Sequence, residues 1–147
     1  MSRRQELENI IIGTLLESND ERNYFNDCCF LVSQEMFIDD DNRRIFSIVK
    51  EMNSRGVHTT DPCTIFKEYG ESVMDLTCKM IDLCTDYSFI HKKTQYNEQR
   101  FIASCATGVE YKGTDVEFGD YVLEFVKIVT IDEEKRDRHI GTEAAAA

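Results

Sequence analysis

The chain has 147 residues, enough for one domain with a real core and too few for two ordinary ones. Hydrophobic residues make up 41% and charged residues 31%, the balance of a folded soluble protein rather than a disordered one. With a net charge of −11, one proline and seven glycines, it favours long helices and argues against tight binding to polyanionic nucleic acid.

The first helix is expected from Arg4 to Glu17, because Leu7, Ile10, Ile11, Thr14 and Leu15 recur at helical spacing. The apolar stretch from Ile10 to Leu16 is short, is interrupted by Gly13 and Thr14, and ends on Glu17 without a cleavage site. It therefore reads as a helix and not a signal peptide. No window approaches the roughly 18 uncharged apolar residues of a membrane span, so the expected location is the cytoplasm.

After Ser18-Asn19-Asp20, a second, less regular helix is expected from Asp20 to about Ser33, offering Tyr24, Phe25, Cys28, Cys29 and Val32 to the core. Met36, Phe37 and Ile38 lead into Asp39-Asp40-Asp41, any of which suits the cap of a third helix. That helix is the cleanest, with Ile45, Ile48, Val49 and Met52 on one face and Phe46 beside them, and Gly56 ends it. Asp61-Pro62 then starts a short helix with Ile65, Phe66 and Tyr69 on its apolar face, stopped by Gly70. Val73, Leu76, Met80, Leu83 and Tyr87 place a fifth amphipathic helix over about Ser72 to Thr85.

From Phe89 the pattern changes. His91 to Arg100 is polar, whereas Phe101, Ile102, Cys105 and Val109 make an apolar seam. Gly108 and Lys112-Gly113 mark a bend, and Thr114 with Glu117 fits a capping box. Phe118, Val122, Phe125 and Val129 then step along a last helix, with Tyr121 beside them. The expected fold is all-α: a compact helical bundle over 1–88, a long helical hairpin over 89–131, and a charged tail over 132–147. The four closing alanines resemble a cloning remnant.

Nothing in the sequence assembles a catalytic site. No Gly-x-x-x-x-Gly-Lys-Ser/Thr loop, Gly-x-Ser-x-Gly, His-Glu-x-x-His or calcium loop is present, so no cofactor is expected. Asp39-Asp40-Asp41 is explained by capping rather than magnesium binding, and His58, His91 and His139 fall where surface histidines belong. The six cysteines (Cys28, Cys29, Cys63, Cys78, Cys84 and Cys105) lack a Cys-x-x-Cys pair. Reduced core or surface thiols account for them better than zinc at His58 and Cys63.

Two blocks resemble the N-terminal domain of DnaB-type replicative helicases. In the first, Glu8 precedes Ile10-Ile11-Ile12-Gly13-Thr14-Leu15-Leu16. The second runs through Phe37, Arg43-Arg44-Ile45-Phe46, Met52, Gly56-Val57, Asp61 and Thr64-Ile65, and Tyr96, Arg100 and Ile102 look like the family's long helix. The resemblance covers about residues 6 to 126 and rests on the order and spacing of the blocks. It is poor over Glu21 to Glu35, and no RecA-like ATPase segment follows within these residues.

The resemblance implies a non-catalytic domain whose hairpins pair between subunits into dimers and a trimer of dimers, and which docks a primase helicase-binding domain or a loader. Its implied partner-binding seam is Phe101, Ile102, Cys105, Val109, Phe118, Tyr121, Val122 and Phe125. Two alternatives are a free-standing adaptor, loader or inhibitor of such a helicase or primase, phage-encoded for example, and a cysteine-based sensor or small enzyme. A helix-turn-helix reading of Asp61 to Thr85 is weakened by the charge.

Overall fold

The computed structural model describes residues 1–108 and 116–146, with side chains as far as Arg138. Among the described residues there are seven α-helices and no strands, so the all-α expectation holds. The helices are α1 (Arg3–Leu15), α2 (Phe25–Cys28), α3 (Asp40–Ser54), α4 (Pro62–Tyr69), α5 (Met74–Tyr87), α6 (Phe89–Thr107) and α7 (Phe118–Ala146). Single 3-10 turns at Gln34–Met36 and Gly70–Val73 join α2 to α3 and α4 to α5.

The capping residues behave as their chemistry requires. Of the three consecutive aspartates, Asp39 caps α3 by accepting from the Asn42 backbone N–H at 3.0 Å. At the other end of α3, Gly56 takes φ +79, and the Val57 and Gly56 N–H groups return to the Met52 and Asn53 carbonyls. That is a Schellman closure, and it needs the left-handed residue. Asp61 caps α4 through Thr64 N at 2.9 Å, with Pro62 in the first turn.

The long second helix is not formed. Only Phe25–Cys28 is helical, and the reason is local. The Asn19 side chain accepts from both Glu21 N and Arg22 N at 2.9 Å, closing a turn that competes with helix over the expected first residues. Phe30, which follows, is 94% exposed. Phe66 also departs from expectation: Ile65 is fully buried, but Phe66 faces outward.

Helix α1 lies at the centre, in contact with α3, α5, α6 and α7. Every residue from Leu7 to Leu15 is buried, so beyond its first turn α1 has no solvent face. Gly13 permits the closest approach: a β-carbon there would stand 2.4 Å from the Leu83 carbonyl oxygen and 3.2 Å from Ser88 N. Beside it, the Thr14 hydroxyl donates to Ile10 O at 2.7 Å and accepts from Phe89 N at 2.6 Å, joining α1 to the first turn of α6. Thr60 donates to the Leu15 carbonyl at 2.7 Å and so satisfies the end of the helix.

Helix α7 returns to this bundle. Its side chains Phe118, Tyr121, Val122, Phe125 and Val129 are buried, with Phe125 stacked on Phe37 at 5.4 Å and Phe118 edge-on to Tyr24 at 5.4 Å. Arg3 makes a bidentate pair with Glu124 at 2.7 and 2.8 Å, and Arg4 reaches Asp132 at 2.9 Å, fixing α7 along α1. The helix runs on through Asp132 to Ala146, past the point where the charged tail begins in sequence. The Glu117 N–H donates to the Asp120 carboxylate at 3.0 Å at the start of the helix. Val109, Lys112-Gly113 and Thr114 lie outside the described residues.

Gly13→Ala sets a small gain in helix propensity against a backbone clash that no rotamer relieves. The clash should dominate, costing about 2 kcal/mol of stability. Chemical denaturation followed by circular dichroism measures it, and an unchanged midpoint would contradict the close approach of α1 to the α5–α6 junction.

Candidate partner-docking surfaces

The polar residues of the core serve the fold. The Glu8 carboxylate, 1% exposed, accepts from Ile38 N and Asp39 N at 3.0 Å and from Asn42 Nδ2 at 3.1 Å. Asn42 Nδ2 also donates to Asn9 Oδ1 at 2.9 Å. A buried anion is tolerated because these donors and the N-terminus of α3 replace its hydration. Lys79 closes the same corner, 2.5 Å from Asp39 and 3.6 Å from Asp41. Burial works to raise the Asp39 pKa, but hydrogen bonds from Lys79 and Asn42 outweigh it and the net shift is downward.

No three His, Cys, Asp or Glu side chains converge on a metal-holding arrangement among the described residues. No helix among them is long and apolar enough to cross a membrane. His58 lies 3.9 Å from Asp20, and His91 is 3.0 Å from Gln95 one turn along α6. Cys28 is buried and Cys84 half-buried, and desolvation pushes both thiols up to about 12. Cys63, Cys78 and Cys105 are exposed, so the cysteines are not uniformly core residues.

Two exposed apolar surfaces are built on regular helices and can receive a partner. The first is the outer part of α6. Its start is held firmly: Ser88 caps it through His91 N at 3.3 Å, and Phe89 lies 6.2 and 6.1 Å from the rings of Phe118 and Tyr121. From Glu98 to Thr107 every side chain but Ser104 is exposed, including Phe101 at 56% and Ile102 at 66%. The second is an open apolar groove of about 570 Å³ between α4 and α5, floored by Cys63, Phe66, Thr77 and Ile81.

The eight residues of the sequence-derived seam are therefore divided. Phe101, Ile102 and Cys105 are on the outer part of α6, while Phe118, Tyr121, Val122 and Phe125 lie inside this chain's own core. Val109 is outside the described residues. The inner stripe of α5 accounts for that helix in the sequence and leaves the groove unmarked, although Met74, Cys78 and Ile81 make a second apolar stripe, of which Ile81 lines the groove. Their own i, i+4, i+7 spacing was the available signal.

The family model for the DnaB-like helicase N-terminal domain matches residues 1–99, from the start of α1 into α6. The chain belongs to that family. No curated protein and no solved structure matches it. The match takes in Glu8, Gly13, Asp39 and Asp61, the residues that tie α1 to its neighbours or cap the helices around it. In replicative helicases this DnaB domain is a non-catalytic part that mediates assembly and primase interaction.

Thiol chemistry separates this arrangement from a reactive-cysteine site. Cys63 and Cys78 should titrate with a disulfide reagent in the native domain, while Cys28 should react only on unfolding. Fast native labelling of Cys28 would contradict its burial.

Proposed function

We propose that this chain is the assembly and partner-docking domain of a DnaB-type replicative helicase, acting in the cytoplasm where replication proceeds. It self-associates through the outer part of α6, forming a dimer or a trimer of dimers, and docks a primase helicase-binding domain or a helicase loader. The observation that carries this reading is the family match over residues 1–99, which extends into α6. The apolar side chains beyond the match, Phe101 and Ile102, are more than half exposed. A helix projecting with that much apolar surface gains free energy by burying it against a second copy, at about 25 cal/mol per Å².

The division of the seam supports α6, rather than α7, as the self-associating element. Phe118, Val122 and Phe125 are already buried, so pairing through them would require opening the bundle. The acidic balance of the chain, −11 overall, suits protein partners better than DNA.

Light scattering on the purified chain should report a dimer or larger assembly. Ile102→Glu should shift it toward monomer with its helical signal unchanged, because Ile102 contributes little to the chain's own core. A wild-type particle that stays strictly monomeric at high concentration would overturn the self-association reading. Fluorescence anisotropy with duplex DNA at low salt should show no binding.

A further inference from the structure

Helix α5 carries two apolar stripes. Val73, just before it, and Leu76, Met80 and Leu83 face the core, as a single amphipathic stripe predicts. Met74, Cys78 and Ile81 form a second stripe at i, i+4 and i+7, with Met74 56% and Ile81 50% exposed. Thr77 and Ile81 form one wall of the α4–α5 groove, and Pro62, Cys63, Phe66 and Lys67 of α4, with Asp61 just before it, form the other, so the acidic edge that can select a basic partner is the one on α5. An ordinary solvated helix would carry polar residues here. A continuous apolar strip on the surface marks a contact.

The charges beside the strip identify what fits. On the edge of α5 away from α4, the exposed Asp75, Asp82 and Asp86 follow at spacings of seven and four residues, so they share one side of the helix. Arg44 pairs with Asp75 at 3.0 Å, and Lys79 is turned to Asp39 and Asp41. Asp82 and Asp86 thus present an acidic rail beside the apolar strip. The Met74 to Thr85 span is about 16 Å long, roughly three helical turns.

We propose that the α4–α5 groove docks an amphipathic helix of a second protein, with apolar side chains on Phe66 and Ile81 and Lys or Arg along the Asp82–Asp86 rail. A second copy of this chain is disfavoured, because a two-fold contact through this face would bring two acidic rails together. This is helix-in-groove recognition, with electrostatics setting orientation. The inference rests on the docking role proposed above and is independent of self-association through α6.

The test uses the whole chain and two synthetic amphipathic peptides of the same apolar pattern, one Leu/Lys and one Leu/Glu. Alkylation by a maleimide is followed by mass spectrometry at Cys63 and Cys78, beside the groove, with Cys105 on α6 as the internal reference. The Leu/Lys peptide at near-saturation should slow Cys63 and Cys78 about tenfold, in proportion to the unbound fraction, and leave Cys105 unchanged. Added salt should weaken this protection. Ile81→Lys should abolish it without changing the helical signal or the oligomeric state.

No protection, equal protection by the Leu/Glu peptide, or protection that includes Cys105 would overturn the proposal. So would dissociation of the wild-type assembly by Ile81→Lys, which would assign the groove to a second copy. Repeating the footprint on the Ile102→Glu chain separates the two readings. Groove docking should survive there even if self-association does not.

Discussion

The burial of α1 on every side from Leu7 to Leu15 is the constraint from which the other contacts follow. A helix with no solvent face must have each of its polar groups answered by a neighbour, since an unanswered buried group costs about 1–3 kcal/mol. Glu8 is answered by the backbone entering α3, Thr14 by the first turn of α6, and the Leu15 carbonyl by Thr60. Each of these bonds spans at least 30 positions in the chain, so each positions an element that α1 could not otherwise select. Gly13 supplies the missing volume that lets α5 and α6 close on the same helix.

A second consequence is that α7 belongs to the bundle. Two aromatic groups knit it in: Phe25, Phe46, Phe37 and Phe125 in one, and Tyr24, Phe118, Phe89 and Tyr121 in the other. With the Phe118, Val122 and Phe125 face of α7 occupied, the exposed apolar surface includes the outer part of α6 and the outward face of α4 and α5, besides single side chains such as Phe30, Ile38 and Leu123. These two surfaces differ in character. The α6 surface is a projecting helix suited to meeting its own copy. The groove is concave and flanked by acids, and suits a partner of opposite charge.

That division gives a physical basis for the self-association and docking proposed above. Self-association proposed through α6 leaves the α4–α5 face open, and docking proposed in the groove does not require α6 to separate. The titratable groups with the firmest neighbours, Glu8 and Asp39, are committed to holding α1 against α3. Their arrangement is structural.

Much of the fold was readable from local chemistry. Asp39, Gly56, Asp61 and Gly70 set helix ends because capping and left-handed backbone are properties of a residue and its near neighbours. The apolar spacings of α1, α3, α5 and α7 likewise identified core faces, and the order of motifs identified the family. Periodicity, however, says that a face will be buried and not against what. For that reason the sequence could not assign Phe118, Val122 and Phe125 to the chain's own core, nor separate them from Phe101 and Ile102. The loss of most of the second helix to the Asn19 turn is local, whereas the outward turn of Phe66 and the groove it lines were decided by tertiary packing, because α1 accepts only as many apolar faces as surround it. The sequence alone determined most of the helices, several of their ends and the family; only the packing around α1 determined which apolar side chains remain for a partner.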